Sequence, residues 1–572
     1  MVRRIGRVIS AVCSLLLAAA CAPTVAPPQS GGAPQIQAEA PRPPKNLTVA
    51  VQREPTGLHP DFTASLTTSG NKQTLLIPHN YLVVRNEKWA RIPQLADELI
   101  SIEKGTWRVN PDGTMDTTWK LRPNVKWHDG TPFTSEDLLF TFTVYKDPDV
   151  PNQAGRVLRT MESAEAPDPQ TFIVHWSGIN VDADLAQGLV PVPRHLMERD
   201  YRSDKTGFLN STVLGAEFIG LGPYRLTKWD QGSQMEFARF EGYYMGRPPL
   251  DTIVVKFLND PNTMVAGILS GAIDLVLPQA VDHDAAQEVK QRWEGTGNQV
   301  RLDSQGALRY LLIQHRADYA RPRNGLSNLL VRQALFRTTD RVAISEVATH
   351  SEGPIADSWY PPSHELYPQL RPSIPQYPLD VAQAQQQFAQ SGWVRNAQGD
   401  LISQATGERF EIEVRSPTGQ AAEQIIAALG DGWKAVGAQT QQNIVPTVLS
   451  ADAEYRVTLP GMTITGNIWD MFLSDVLDSR QVARPENRWA AANRAGYVNP
   501  AMDALYDKLT VTVAPAERLG IQRAMVQEAM TDVAFIPMYF NVVPVLSLKG
   551  VRGIGGMVDN SNAWNAFEWN KD

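Results

Sequence analysis

A chain of 572 residues that is 43% hydrophobic and 20% charged has the balance of a folded protein, and at about 100 to 200 residues per domain its length suits two to four domains. Its net charge of −8, spread without a block of like charges, excludes the basic phosphate-binding face on which nucleic-acid recognition depends. Both cysteines, Cys13 and Cys21, fall in the N-terminal leader, so the body of the chain is left without a disulfide, a zinc-thiolate site or a cysteine nucleophile.

In chain order, the leader comes first. Arg3 and Arg4 supply positive charge, Ile9 to Ala20 is apolar apart from Ser10, Cys13 and Ser14, and Leu17-Ala18-Ala19-Ala20-Cys21 ends it with small residues before a cysteine. An apolar run of about a dozen residues is too short for a permanent membrane helix and reads as an export signal. The expectation is a lipoprotein signal peptide over 1–20, cut before Cys21, whose thiol then carries lipid and anchors an exported protein to the outer face of a membrane. Ala18 stands three positions before that cysteine, where leucine is commoner. Residues 21–45, rich in Pro, Ala, Gly and Gln with no apolar period, are expected to form a flexible stalk.

Beyond the stalk, β-rich stretches predict strands at Asn46–Val51, Thr171–Trp176, Met235–Phe240, Thr252–Phe257, Tyr310–Gln314, Phe410–Val414 and Tyr455–Leu459. Apolar spacing near 3.6 predicts helices at Ser135–Tyr145, Pro261–Ser270, Leu329–Thr338, Asp380–Gln390, Gly419–Val436 and Ala514–Met530. Ser135 ahead of Glu136 and Asp137 reads as an N-cap with acid in the first turn. Asp112-Gly113 and Asp129-Gly130 are tight-turn pairs around a strand expected between Trp119 and Trp127. Arg332, Asp340 and Arg341 are expected to make ion pairs between elements. No stretch past the leader reaches 18 uninterrupted apolar residues, and there is no internal repeat or heptad pattern.

Catalytic and metal motifs are missing from the sequence. The nine histidines are scattered, and His364-Glu365 is followed by Leu-Tyr-Pro, which breaks the H-E-x-x-H pattern. Neither a G-x-S-x-G elbow nor a G-x-x-x-x-G-K-[ST] loop occurs, and Gly220-x-Gly222 is too short for a dinucleotide fingerprint. No metal and no cofactor is expected. Carboxylates are plentiful, so counting alone leaves a glycosidase pair open, and the Trp residues suit either a sugar site or core packing.

Several ordered blocks then carry a resemblance. They begin with Pro93-Gln94-Leu95-Ala96-Asp97, Asn110 to Thr114 and the run from Trp119 through Trp127-His128-Asp129-Gly130 to Asp137. Gly220-Leu221-Gly222-Pro223-Tyr224, Tyr243 to Asp251 and Leu269 to Leu275 follow, then Val331 to Leu335, Ala384 to Trp393 and Pro537-Met538-Tyr539. Together, over roughly residues 46–572, they resemble the family 5 extracellular solute-binding proteins, the substrate-binding lipoproteins of oligopeptide and dipeptide ABC importers. The resemblance implies an α/β fold of the periplasmic-binding-protein type II kind, two lobes with a hinge and a central cleft. It places lobe I at 46–305 with a return at 540–572, an inserted subdomain at about 82–209 and lobe II at 306–539. The cleft is the default ligand site.

Peptide-binding members resemble one another in a Gly-Trp-x-x-Asp stretch whose aspartate pairs with the peptide ammonium. The ungapped counterpart here is Gly461-Met462-Thr463-Ile464-Thr465, and threonine carries no such charge. Either the acid comes from elsewhere, with Glu54 in the first loop a candidate, or the ligand is not an ordinary free-amine peptide. Glu54, Thr56, Met462, Thr463 and Thr465 match pocket positions by location, and Asn467 is added for its place just beyond them. Apart from Glu54 these residues are polar or soft, which suits hydrogen-bonded recognition of a peptide backbone or polyol more than anion capture. The expected function is solute capture outside the membrane and delivery to an ABC permease, by a non-catalytic monomer in the periplasm or on the cell surface. The alternative is a secreted hydrolase of polysaccharide or peptide.

Overall fold

Ten β-rich segments pair into one mixed sheet: β1 (Asn46–Val51), β2 (Tyr224–Asp230), β3 (Gln234–Arg239), β4 (Thr252–Phe257), β5 (Leu275–Val276), β6 (Gln299–Ile313), β7 (Glu411–Pro417), β8 (Gln439–Val445), β9 (Met462–Ile468) and β10 (Phe535–Ser547). They come from a computed structural model that describes residues 43–62, 72–151, 158, 160–185, 189–419, 421–559 and 561–572. The expected signal peptide, Cys21 and almost all of the expected stalk lie outside the described residues. Across the sheet the order is β8-β7-β9-β6-β10-β5-β1-β4-β3-β2. β1 runs parallel to β4 and β5, and β7 runs parallel to β8 and β9. The remaining pairs are antiparallel.

Two strands belong to both halves of this sheet. Strands usually run five or six residues, but β6 has 15 and β10 has 13. At about 3.3 Å per residue, β6 reaches roughly 50 Å. Its first part, Gln299–Ser304, pairs with Val542–Ser547 next to β5, and its second, Leu308–Leu312, pairs with Phe535–Phe540 next to β9. The register slips between Ser304 and Leu308 and again between Arg309 and Tyr310, so the ladder is weakest where one half gives way to the other.

Side-chain alternation sorts the cores. On β1, Leu47, Val49 and Val51 face one cluster with Val255 and Trp569, while Ala50 faces another with Met264, Ile268 and Val289. The other half buries a larger cluster in which Leu311 and Ile313 meet Val331, Leu335, Trp433, Met525 and Ile536. A four-stranded antiparallel sheet, in the order Trp107–Val109, Met115–Lys120, Thr171–Trp176 and Met161–Asp168, carries its own core around Trp119, Trp127 and Trp176.

The expected helices form with ends shifted by a few residues at most: α1 (Ser135–Lys146), α2 (Pro261–Leu269), α3 (Leu329–Arg337), α4 (Val381–Gln390), α5 (Ala422–Lys434) and, near the C-terminus, Pro515–Thr531. The N-cap of α1 is Thr134, one residue before the expected Ser135, because Asp137 at the third helical position reaches back to the Thr134 N–H in a capping box. The expected strand Tyr455–Leu459 is instead the end of a short helix, Ala453–Val457. The Asp452 side chain accepts from the Tyr455 N–H and starts a turn before any ladder can form. The Asp-Gly pairs make their turns as expected, with Asp112 and Asp129 each accepting from a backbone N–H two residues on.

The signature blocks hold one another. His128 receives the Gly220 N–H on Nδ1 at 3.2 Å and donates from Nε2 to the Gly222 carbonyl at 3.0 Å, which fixes a neutral ring and ties the Trp-His-Asp-Gly block to the Gly-Leu-Gly-Pro-Tyr block. Burial lowers the His128 pKa to about 4, in keeping with that tautomer. Arg332, nearly buried, pairs with Asp532 at 2.6 Å and also donates to the Leu326 and Ser327 carbonyls. Asp340 is a helix N-cap and Arg341 donates to the Ala356 carbonyl.

Candidate functional site

β9 runs beside β6 with its odd-numbered residues on one face. Thr463, Thr465 and Asn467 therefore point the same way, and all three line a cavity of about 200 Å³. Met462 points oppositely and is fully buried in the core, so of the four expected residues on this strand it alone offers a ligand no surface. The floor is completed by Tyr310 and Leu312 of β6, which pair with Thr465 and Thr463. The walls come from Ser450, Tyr455 and Arg456 on the two short helices Thr447–Ala451 and Ala453–Val457, from Asp475 and Val476, and from Arg494.

The first-loop residues are not part of this cavity. Glu54 is half-buried, its carboxylate receiving the Trp229 Nε1–H at 2.6 Å and the Gly232 N–H at 2.8 Å, so it holds the β2–β3 turn. Thr56 is exposed in the same loop. The structure thus brings together three of the six expected residues and leaves Glu54, Thr56 and Met462 outside.

What the cavity contains beyond those three is charge. Asp475 sits on a π-helical turn, Leu473–Leu477, and its Oδ2 lies 3.4 Å from the Asn467 Nδ2. It is the only acid among the described lining residues, and it shares the cavity with Thr465, where the expected aspartate is missing. Three arginines line the same space. Arg415 is held by the Glu413 carboxylate and by the Tyr455 carbonyl at 2.7 Å, with its guanidinium 4.0 Å from the centre of the Tyr455 ring. Arg456 has a buried Nε that meets no hydrogen-bond partner. Burial, and after it the charge of Arg456, lower the Arg494 pKa, while Tyr310 and Asp475 act in the opposite direction.

A second, larger cavity of about 380 Å³ lies between residues 91–184 and 359–522, with Arg91, Asp184, Trp359, His364, Trp469 and Arg518 on its wall. The segment from Trp469 to Val476 separates the two: Trp469, Asp470 and Leu473 face the larger and Asp475 and Val476 the smaller. Beside it the two halves of the molecule touch. Arg85 bridges Asp470, at 3.0 Å, and Asp559, and Trp89 meets Trp469 edge-on with ring centres 5.4 Å apart. The Glu365 N–H donates to the Lys88 carbonyl at 3.0 Å.

Sequence reasoning missed Arg415, Arg456, Arg494 and Asp475. They reach the cavity from four separate segments, and the strand expected at Tyr455–Leu459 concealed the turn that carries Arg456. The available signal was Asp452 followed by Ala-Glu, a helix start. Among the described residues no three His, Cys, Asp or Glu side chains gather as a metal site. No described helix is long and apolar enough to cross a membrane.

Known proteins match this arrangement. Residues 92–480 fit the bacterial extracellular solute-binding proteins, family 5 Middle. The oligopeptide-binding protein AppA of Bacillus subtilis is 24% identical over 337 residues, a match spanning 58% of this chain and 59% of AppA. Heme-binding protein A of Haemophilus influenzae is 24% identical over 485 residues, covering 78% of this chain and 82% of that one. In three dimensions the chain is similar to NikA from Brucella suis in complex with Fe(III)-EDTA, with a TM-score of 0.69 at 18% identity, covering 92% of this chain and all of that one. That likeness shows the two-lobed, mixed α/β fold of type II periplasmic binding proteins. With well over half of its length matched by one family model, the chain belongs to the family 5 bacterial extracellular solute-binding proteins.

Proposed function

We propose that this chain is the substrate-binding component of an ABC importer, capturing a small, peptide-like solute outside the membrane and delivering it unaltered to permease subunits. The observation that carries the reading is the cavity on β9. Hydroxyl and amide groups of Thr463, Thr465 and Asn467 line it with a carboxylate, Asp475, which meets Asn467 and shares the cavity with Thr465, the position at which peptide-binding relatives are expected to carry an acid. Hydrogen-bond donors and acceptors on a rigid strand, with one acid in reach, suit a backbone-bearing ligand with an amino group. Glu54, Thr56 and Met462 play no part in this reading.

The hydrolase alternative finds less support. The named relatives are binding proteins, and in the β9 cavity glycoside hydrolysis would lack the two carboxylates that flank the bond, since Asp475 stands alone among its described lining residues. The slipped register of β6 and β10 at Ser304–Leu308 supports a hinge there, with lobe I at 46–305 and 540–572, its insertion at about 82–209, and lobe II at 306–539. The described residues lining the β9 cavity all fall within 306–539, so the expected central cleft is represented there by its lobe II wall alone, and closure of lobe I over it follows only when a ligand binds the closed form better than the open one. The leader supports an exported protein tethered through lipid on Cys21, and Cys21→Ser should move the protein from the membrane to the soluble fraction.

Native mass spectrometry of protein purified from its own host tests the central reading. One small adduct per chain is expected, and Thr465→Trp, which puts an indole into the cavity, should abolish it. An adduct unchanged by Thr465→Trp, or turnover of the solute, would contradict the proposal.

A further inference from the structure

Arg85 ends the first strand of a hairpin, Val83–Arg85 paired with Arg91–Pro93, and its guanidinium forks between two carboxylates. Nε donates to Asp559 at 2.9 Å and Nη1 to Asp470, in the other half of the molecule, at 3.0 Å. An exposed ion pair adds little to stability, but only 10% of the Arg85 side chain is open to water, so the two acids stand in for its hydration. Asp470 lies on a 3-10 turn, Trp469–Met471, that runs into the π-helical turn Leu473–Leu477. Neither turn has the hydrogen-bond geometry of an α-helix, so side-chain anchors decide where such a segment sits. From its own half, Phe472 is fully buried and stacks on Trp359 with ring centres 5.7 Å apart, and His364 meets the Trp469 ring at 4.4 Å. From the opposite half come Trp89, edge-on to Trp469, and Arg85 on Asp470. The same segment turns Asp475 and Val476 to the β9 cavity, whose described lining does not include Arg85. One short element thus meets the other half on one side and the cavity on the other, and whatever shifts Asp470 shifts the cavity wall.

We infer that Arg85 is a positioning residue for the β9 cavity: by holding Asp470 it sets the Trp469–Val476 segment, so that contact between the halves and occupation of the cavity strengthen one another. This rests on the reading of the cavity as the ligand site; Arg85 acts through Asp470 and does not touch the solute. Linkage makes the effect reciprocal. As much as the Arg85 contact tightens the cavity's grip, an occupied cavity tightens the contact.

The test is amide hydrogen exchange read by mass on the full chain, stripped of any carried solute, with and without a casein hydrolysate as the source of peptides. In stripped protein, Arg85→Gln and Asp470→Asn should each speed exchange over residues 469–477 roughly tenfold, the scale of a lost charge-assisted hydrogen bond, and the double variant should exchange no faster than either. Arg85→Lys keeps the charge without the fork and should recover part of the protection. Exchange in α5, away from the contact, should stay as in wild type. Peptides from the hydrolysate should slow exchange over residues 86–91 in wild type and leave it unchanged in Asp470→Asn, and Arg85→Gln should retain roughly tenfold less peptide. If Arg85→Gln fails to fold, Asp470→Asn, which leaves Arg85 paired with Asp559, carries the test. Wild-type exchange over 469–477 in both single variants, additive effects in the double variant, or a speed-up shared equally by α5 overturns the inference. Thr465→Trp separates the two claims. If it blocks capture while Arg85→Gln retains peptide like wild type, only the positioning role fails; if capture survives it, or wild type captures nothing, the cavity is misassigned and the inference falls with it.

Discussion

Gly306→Ala places one methyl group where the two halves of the molecule meet. Gly306 lies in the slipped stretch of β6 with φ of +64°, a conformation that costs an alanine about 1–2 kcal/mol. Its added Cβ would stand 2.4 Å from Cζ2 of Trp89 and 3.1 Å from Cδ1 of Trp469. The Trp89 ring has little room to retreat. It is almost fully buried, the Arg85 guanidinium sits 4.9 Å from its centre, and its own loop is fixed by the Asn86 carbonyl and side chain. Overpacking of this kind adds about 1–3 kcal/mol, so the total is about 2–5 kcal/mol. At about 2 cal/mol/K of unfolding entropy per residue, a chain of this size loses roughly one degree per kcal/mol, a fall in Tm of about 2–5 °C. If the strain is relieved by parting the Trp89–Trp469 pair, X-ray scattering should also show a larger radius of gyration. In a Trp89→Ala background the further cost of Gly306→Ala should shrink towards the backbone share alone. A Gly306→Ala protein that melts and scatters like wild type would refute the argument that this glycine lets the halves approach.

Further predictions follow from the same interactions. Arg332→Met removes a buried ion pair and leaves carbonyls of Leu326, Ser327 and Asp532 short of a donor, which should cost about 3–5 kcal/mol in urea denaturation, with Arg332→Lys recovering only part. Burial holds the pKa values of His59, His315 and His364 at about 3 and that of His128 at about 4, below the ordinary value. As pH falls below about 6.5 the unfolded chain therefore takes up protons that the native one refuses, and stability drops by up to about 1.4 kcal/mol per pH unit for each histidine. Tm should be level above pH 7 and fall between pH 6.5 and 5.5, and a protein equally stable across that window would contradict the burial argument. Asp475→Asn should weaken binding of free-amine peptides by roughly tenfold and leave their N-acetylated forms unaffected, as measured by calorimetric titration.

How far the sequence could be read depended on how local each signal was. Alternation in Asn46–Val51 and Thr252–Phe257 and the 3.6 spacing in Leu329–Arg337 are written within single segments, and those elements form where expected. The sequence predicts β6 only over Tyr310–Gln314, because its other half carries Arg301, Asp303 and Gly306, and a strand interrupted by charge and glycine loses its period. The strand face of the cavity is legible only through the resemblance: Thr463 and Thr465 match pocket positions by location and Asn467 stands just beyond them, whereas the residues alone predict no strand over 462–468. Met462 and Glu54 match pocket positions by location too, but alternation turns Met462 inward and the Glu54 carboxylate holds the turn at Gly232. The arginines were not legible. Arg415, Arg456 and Arg494 come together only when β7, the short helix at Ala453–Val457 and the loop before Ala495 pack around β9, and no spacing records that.

A crystal structure of the chain with its co-purified solute bound measures directly where that solute sits. The expected result is one intact small molecule against Thr463, Thr465 and Asn467. Density confined to the larger cavity between Arg91 and Arg518, or a solute recovered as cleavage products, would contradict it.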